Sequence, residues 1–262
     1  MSGRGEICAL FIDIDGTLTG DNHVIPQRNI DAVNAVRAMG HKVFINTGRS
    51  KGNIPPEVLS QVEFDGVLSG NGTMITVGDK ESFADCIPKS TVDMIARHIY
   101  DNPPFWAAFE GVNKSCLTTN RDRPLAPYQT PVATYDDYVR ETADDGIQVI
   151  AVSKDVGTDY LDSLSDYISY FTFDYYFDIV SKGNNKCKSM GKVIDMLGID
   201  RKNTFAFGDS DNDYEMLKSA GVAVAMANAS EQVKDIADFV SLSNKEGGVG
   251  YAIEKLILKG RP

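Results

Sequence analysis

The sequence predicts an α/β protein, in which a doubly wound, Rossmann-like parallel sheet forms the core and an α+β domain is inserted into it. Three observations predict this fold class. Strand and helix patterns alternate near both ends of the 262-residue chain, and the pattern changes over a long middle stretch. In addition, carboxylates follow apolar strands at the points where a parallel sheet would end.

The first eighty residues alternate between strand and helix signals. The expected elements are a strand near 7–12, a helix near 27–39, a strand at 43–45 and a strand within "FDGVLSGNG". Gly40 is a typical stop signal for the helix. Because strands that alternate with helices usually pair in parallel, these elements predict one half of a parallel sheet.

The same alternation returns late in the chain. The expected elements are a helix near 188–197, strands at 204–207 and 222–225 with a helix through 215–218 between them, and a closing helix that ends at 258. Residues 81–182 differ, because they hold most of the aromatic residues and strand-like pieces such as "GIQVIAVS" between short helices. We therefore predict a catalytic core of residues 1–80 and 183–262 and an inserted α/β cap domain of residues 81–182.

Composition excludes several classes of protein. The net charge of −11 opposes attraction to nucleic acid or anionic lipid, so we expect neither partner. The four cysteines have no CxxC spacing, which favours reduced thiols over a zinc site or disulfides. The apolar run near the N-terminus is too short for a signal peptide or a membrane span, so a cytoplasmic location is expected. The sequence does not set the oligomeric state.

The stretch "FIDIDGTLTG" places two carboxylates at the end of the first strand. Asp13 and Asp15 are two residues apart, so a continuing strand would hold both charges on one face. A turn beginning at Asp15-Gly16 would relieve this repulsion, and so would a bound cation. The stretch by itself leaves both explanations open.

Polar residues follow other strands as well, and the carboxyl ends of parallel strands share one edge of a sheet. Thr47 follows the second strand, Asp209 follows a later one, and Lys186 opens the first helix of the second core segment, residues 183–262. Three carboxylates and a lysine at one edge suit Mg²⁺ and a phosphoryl group. The alternative of a calcium loop at "DSDND" fails, because Tyr214 and Ala220 stand where that loop needs glycine and glutamate.

Four ordered segments carry a resemblance to a known family. The sequences "DIDGTL", "NTGR", the lysine segment "VSKGNNKCKSMGK" and "GDSDND" resemble the four motifs of the haloacid dehalogenase superfamily. The position of the insertion resembles that in the Cof-type sugar phosphatases. The likeness covers the whole chain and implies a Mg²⁺-dependent phosphatase.

The resemblance implies roles for three carboxylates. Asp13 would be the nucleophile that becomes an aspartyl-phosphate, and Asp15 would protonate the leaving oxygen and later deprotonate water. Mg²⁺ would be held by the side chain of Asp13, the backbone carbonyl of Asp15 and the side chain of Asp209.

The remaining motif residues would bind the phosphoryl group. The resemblance assigns this role to the Thr47 hydroxyl, the Lys186 ammonium and the backbone amides that follow Asp15 and Thr47, those of Gly16 and Gly48. Asp213 would hold Lys186 or the water shell of the metal. Asn212 would contact the bound phosphate, although a helix N-cap explains it as well.

The lysine segment departs from the family pattern. Ser181 replaces the usual proline and Cys187 replaces the last glycine. Spacing selects Lys186, and Lys182 remains a second candidate.

Several other polar or aromatic residues receive structural interpretations. We expect Arg49 to be solvated or paired at the surface and Trp106 to belong to the core of the insertion. Asn71 in "SGNGTM" resembles an asparagine-glycine turn of the family, and a plain turn explains it equally well. The three histidines have no ligand spacing and are interpreted as surface or incidental residues: His23, His41 and His98.

These observations predict a phosphatase of small phosphorylated metabolites, with sugar phosphates as the leading class. A phosphomutase of the phosphomannomutase type is an alternative on the same carboxylate pair, and dependence on a sugar bisphosphate would select it. A non-catalytic protein that binds Mg²⁺ or phosphate is the third hypothesis, which a flat phosphate-release assay would favour.

Overall fold

The fold is described from a computed structural model, which describes residues 6–78, 80–118 and 125–258. The strands are β1 (Ala9–Ile12), β2 (Lys42–Asn46), β3 (Gly66–Ser69), β4 (Met74–Val77), β5 (Lys80–Ala84), β6 (Ala107–Gly111), β7 (Ser115–Thr118), β8 (Gln129–Val132), β9 (Ile147–Ser153), β10 (Ile168–Thr172), β11 (Tyr176–Ser181), β12 (Thr204–Gly208), β13 (Val222–Ala225) and β14 (Phe239–Val240). The α-helices are α1 (Gln27–Ala38), α2 (Pro56–Gln61), α3 (Lys89–Asp101), α4 (Tyr135–Thr142), α5 (Lys186–Leu197), α6 (Tyr214–Ser219), α7 (Glu231–Asp235) and α8 (Gly248–Ile253), the last continued by a π-helical turn, Glu254–Leu258.

The apolar run that opens the sequence forms the central strand of an eight-stranded sheet, here called the core sheet. Its strand order is β14-β13-β12-β1-β2-β3-β4-β5. The pairings from β14 to β3 are parallel, whereas β4 and β5 pair antiparallel. The α/β class with a parallel sheet is therefore confirmed.

Helices cover both faces of the core sheet. Leu10 and Ile12 point to one face, where α1, α2 and α8 pack, and Ala9 and Phe11 point to the other, where α5, α6 and α7 pack. Because alternate residues of a strand face opposite sides, a strand covered on both faces reads as a continuous apolar run.

A second sheet, here called the cap sheet, has the strand order β10-β11-β9-β6-β7-β8. Its pairings are antiparallel except that between β7 and β8. The helices α3 and α4 pack on one face around Ile95, Phe109 and Ile150. The opposite face carries Ala108, Leu117 and Ala151.

The two chain segments that connect the core sheet to the cap sheet are hydrogen-bonded to each other. Asp85 follows β5, and its carboxylate accepts a hydrogen bond from Asn184 Nδ2, which precedes α5, at 2.7 Å. The predicted boundary at residue 81 falls inside β5, because residues 80–84 pair with β4 in the core sheet. Among the described helices, none is long and apolar enough to cross a membrane.

Candidate active site

The carboxyl ends of β1, β2 and β12 meet the N-terminus of α5 under a cavity of about 710 Å³. The cavity lies between the two sheets, since its walls include residues of both. Five of the predicted site residues line it: Asp13, Asp15, Thr47, Gly48 and Asn212.

Lys186 joins two of the predicted carboxylates below the cavity. Its ammonium lies 2.7 Å from Asp13 Oδ1 and 2.6 Å from Asp213 Oδ1, and only 1% of its side chain is exposed. Asp13 follows β1 directly, and Lys186 is the first residue of α5. Residues separated by 173 positions therefore form one ion pair.

Burial and charge oppose each other at this pair. Burial raises the pKa of Asp13 well above its ordinary value, while Lys186 acts to lower it. Burial acts to lower the pKa of Lys186, but the charges of Asp13 and Asp213 outweigh burial, so the pKa of Lys186 is raised. Lys186 is thus a fixed cation beside the predicted nucleophile.

Asp209 lies next to the Asp13 pair. Its Oδ1 accepts a hydrogen bond from Thr17 Oγ1 at 2.8 Å. Burial and then the charge of Asp213 raise the pKa of Asp209 to about 7. Gly16 permits this close packing, because a Cβ built on it would lie 2.3 Å from Asp209 Oδ2.

Three carboxylates can share a metal ion here. Oxygen atoms of Asp13, Asp209 and Asp213 all lie within 4.8 Å of one another. Asp213 is further fixed by the backbone amides of Asp209 and Ser210, which donate to its Oδ2 at 3.1 and 3.2 Å. Clustered carboxylate oxygens are the ligand type that hard cations prefer, so the donor set fits a divalent metal.

The side chain of Asp15 is bound by Arg49. The guanidinium makes two hydrogen bonds with the carboxylate, Nε to Oδ2 at 2.6 Å and Nη2 to Oδ1 at 2.8 Å. Burial acts to raise the pKa of Asp15, but Arg49 outweighs it and lowers the pKa. The predicted surface role of Arg49 is wrong, since its Nη1 also donates to Asn53 O and Tyr128 OH across the cavity.

The remaining predicted phosphate ligands lie around the same point. Thr47 is buried, and its hydroxyl accepts from the Arg49 amide at 3.2 Å. A Cβ on Gly48 would lie 3.2 Å from Asn212 Nδ2. Asn212 does not cap a helix, since Ser210 caps the turn 211–213 and Asp213 caps α6. Its Oδ1 lies 3.4 Å from Lys186 Nζ instead.

Lys182 does not join this group. Lys182 is exposed. In the described ion pairs of the site, the lysine that pairs with Asp13 and Asp213 is Lys186.

Asn71 does more than form a turn. It has a φ of 52°, and its Oδ1 accepts a hydrogen bond from Asn212 Nδ2 at 3.2 Å. Its own Nδ2 is buried without a hydrogen-bond partner among the described residues. The resemblance of "SGNGTM" to the asparagine-glycine turn of the family is the sequence signal for this position.

The cap sheet supplies residues that the sequence reading missed. Glu110 of β6 and Asp178 of β11 are buried at the cavity wall. Trp106 lies at this wall rather than in the core of the cap, beside Tyr176 at 5.6 Å between ring centroids. No local motif marks these residues, because the pairing of β6, β9 and β11 brings them together.

The histidine interpretations also change. His23 lines the cavity with its Nδ1 3.9 Å from Asp15 Oδ1. His41 is buried and accepts a hydrogen bond from the Cys8 amide at 3.0 Å, so it is a structural residue at the amino ends of the central strands β1 and β2.

Comparisons with known proteins agree over the whole chain. Residues 10–253 match the sequence model of the haloacid dehalogenase-like hydrolases. The phosphoglycolate phosphatase of Methanopyrus kandleri is 29% identical, over 95% of this chain and 96% of that protein. The 5-amino-6-(5-phospho-D-ribitylamino)uracil phosphatase YcsE of Bacillus subtilis is 29% identical, over 97% of each. The solved structure of the HAD subclass IIB sugar phosphatase BT4131 superposes with a TM-score of 0.80 at 27% identity, covering 95% of this chain and 98% of that one.

Proposed function

Because this chain belongs to the haloacid dehalogenase-like hydrolases and is a phosphatase of that family, we propose that it hydrolyses small phosphorylated metabolites through an aspartyl-phosphate on Asp13, with Mg²⁺ as its cofactor. Sugar phosphates are the leading substrate class, since the structural relative BT4131 is a sugar phosphatase. The observation that carries the proposal is the buried contact of 2.7 Å between Asp13 and Lys186 beneath the cavity.

The first half of the reaction forms a bond at Asp13. An oxygen of the Asp13 carboxylate attacks phosphorus, and the bond between phosphorus and the ester oxygen breaks. Asp15 gives a proton to the departing oxygen, so that an alcohol leaves. Lys186, the Thr47 hydroxyl and the amides of Gly16 and Gly48 bind the other phosphoryl oxygens.

The second half returns the enzyme to its starting state. Asp15, now ionised, takes a proton from water, and the resulting hydroxide attacks phosphorus and releases inorganic phosphate and the Asp13 carboxylate. The pairing with Arg49 stabilises this ionised form of Asp15. The Arg49 pair must therefore loosen when Asp15 acts as the acid.

The carboxylate cluster fits the proposed cofactor. The side chains of Asp13 and Asp209 and the carbonyl of Asp15 would hold Mg²⁺, which when bound offsets the repulsion between the Asp13 carboxylate and the phosphoryl group. Asp213 belongs to the same cluster, and its contact of 2.6 Å with Lys186 supports a role in holding that lysine.

The test is phosphate release by Asp13→Asn. The amide keeps the size of the side chain but removes the attacking charge, so turnover should fall to background while thermal unfolding still shows a folded protein. Asp31→Asn, a change to an exposed carboxylate on α1, is the matched control and should keep its activity. Activity of Asp13→Asn within about tenfold of wild type, a barrier change of only ~1.4 kcal/mol, would falsify the covalent mechanism.

A further inference from the structure

Asp178 is a buried carboxylate that faces the cavity, and no partner for it lies among the residues that the structure describes. It lies on β11 with 7% of its surface exposed and lines the cavity that also holds Asp13 and Asp15. Among the described residues, no donor hydrogen-bonds to its carboxylate and no lysine or arginine forms an ion pair with it. Burying an unpaired charge is costly, so a group that enters the cavity is expected to pair with it.

Glu110, on the same wall, provides the contrast. Its Oε1 accepts a hydrogen bond from Asn53 Nδ2 at 2.7 Å, and its Oε2 accepts one from the Ser50 amide at 3.3 Å. Through these two hydrogen bonds, Glu110 joins the cap sheet to the loop 49–53. After burial, the charge of Glu110 is the largest influence that raises the pKa of Asp178, so a cation placed beside these two carboxyl groups would be stabilised by both.

The cations near the wall are already committed. Arg49 directs its donors to Asp15, to the Asn53 carbonyl and to Tyr128. Lys186 is held below the cavity between two other carboxylates. In the part of the chain that the structure describes, Arg49 is the one lysine or arginine that lines the cavity. Among these residues none pairs with Asp178, and a cationic group on the ligand would supply that charge.

Aromatic rings stand on the same side of the cavity. Tyr176 lies 5.6 Å from Trp106 and 4.7 Å from Phe173, measured between ring centroids, and all three line the cavity. Aromatic faces attract cations, and the attraction grows when the cation is desolvated. A neutral sugar would gain from the rings but would leave the carboxylate charge unbalanced.

We propose that the leaving group of the preferred substrate carries a protonated amine, which pairs with Asp178 against the wall formed by Trp106, Phe173 and Tyr176. The inference rests on the proposed phosphatase function and names the substrate class of that site, phosphorylated amino sugars or amino alcohols. A cavity of about 710 Å³ accommodates a metabolite of that size. A second anionic group on the leaving group would meet Asp178 and Glu110 and is disfavoured.

The test compares two substrates that differ at one position. Glucosamine 6-phosphate carries an ammonium where glucose 6-phosphate carries a hydroxyl, so the ratio of their kcat/KM values near neutral pH isolates the amine. We expect the ratio to favour glucosamine 6-phosphate by about tenfold or more, the range of one well-placed contact. 6-Phosphogluconate, with an added carboxylate, should be the poorest of the three.

Two variants then locate the effect. Asp178→Asn keeps the shape of the side chain but removes its charge, and the ratio should fall towards one. Asp166→Asn changes an exposed carboxylate of the cap, outside the cavity, and should keep the wild-type ratio. A thermal melt of each variant checks that it is folded.

The outcomes separate this inference from the proposed function. Hydrolysis of all three esters with a ratio near one in the wild-type enzyme overturns the amine preference and leaves the phosphatase function standing. A ratio that survives Asp178→Asn overturns the role of Asp178. Release of phosphate from none of a broad set of esters overturns the phosphatase function itself.

Discussion

Lys186 shows how the site holds a charge that the protein interior would otherwise reject. A buried ammonium is costly unless it is paired and hydrogen-bonded, and Lys186 meets Asp13 and Asp213 at 2.7 and 2.6 Å. Because Lys186 pairs with both carboxylates, this one lysine balances the negative charges of Asp13 and Asp213. Removing it would leave uncompensated negative charge where a phosphate must bind.

Lys186→Ala should therefore reduce turnover on the order of 10²-fold or more, because the cation at the phosphoryl group stabilises the charge of the transition state. Lys182→Ala is the matched control, since Lys182 lies four residues earlier and is exposed. Steady-state kinetics with p-nitrophenyl phosphate compare the two, and circular dichroism checks their folding. Similar losses in both variants would contradict the assignment of Lys186.

Gly16→Ala should disturb the metal cluster. The residue has a φ of +77°, and an added Cβ would lie 2.3 Å from Asp209 Oδ2, so the carboxylate must move. Gly40→Ala separates strain from this clash, because Gly40 has a φ of +94° with nothing within 4 Å of its Cβ. The control should lose about 1–2 kcal/mol of unfolding free energy at most and keep its activity. Gly16→Ala should lose more stability and also turnover, and equal behaviour of the two would contradict the packing argument.

The residues predicted from motifs lie at strand ends, whereas those that were missed depend on contacts with the cap sheet or its flanking segments. Asp13 and Asp209 follow strands directly and Asp15 lies two residues after Asp13, and a strand end in a parallel sheet implies a shared edge. Arg49 could not be assigned in this way, because its side chain lies in the loop after β2 and one of its contacts, Tyr128, comes from the segment just before β8 of the cap sheet. Trp106 likewise gained its place at the cavity only through the pairing of β6 with β9.

At the scale of elements, the short loop 49–53 carries much of the contact between the two sheets. Besides the Glu110 contacts, Gln148 of β9 accepts a hydrogen bond from the Lys51 amide at 2.8 Å. Its Nε2 donates to Ser69 and Thr73 hydroxyls at 3.2 and 3.0 Å. The side chain is fully buried, so these bonds have no solvent to replace them.

Gln148→Ala should lower the unfolding free energy by about 1–3 kcal/mol, since it leaves buried polar groups unsatisfied. Urea denaturation measures this loss. Gln27→Ala, at an exposed residue of α1 that bonds Asp31, is the control and should change little. A Gln148→Ala variant as stable as the control would show that the interface does not depend on these bonds.

The predicted elements succeeded where apolar periodicity was strong. The strand expected at 222–225 is β13 with the same bounds, and the helix expected near 188–197 begins two residues earlier, at Lys186. The antiparallel pair β4 and β5 was missed. Its exposed edge strand, β5, reads "KESFA" with little apolar alternation, so no hydrophobic pattern predicted that the core sheet extends to Ala84.

For the molecule as a whole, Asp178 should make stability depend on pH. Burial and then the charge of Glu110 raise the pKa of Asp178 well above its ordinary value. A carboxyl group of this kind stabilises the fold below its unfolded pKa of about 4, and that contribution is lost as the pH rises through the raised folded pKa.

Asp178→Asn stays neutral at every pH and should escape this loss. Its melting temperature should therefore rise relative to wild type between about pH 4 and neutral pH, the range that begins at the unfolded pKa. Thermal melts of both proteins across this range provide the measurement, with Asp166→Asn as the exposed control. A difference that stays constant with pH would contradict the raised pKa of Asp178.

The hydrogen bond between Asp85 and Asn184 has a consequence for how the chain reaches this structure. β1 must pair with β12, which places Ala9 beside Thr204, and such distant contacts slow folding because the intervening chain loses entropy when it is closed. Once the cap sheet has formed, its two ends lie together and the intervening segment behaves as a short connection. We therefore expect the inserted region to fold first during refolding. It would act as a folding nucleus that brings the second half of the core next to the first half.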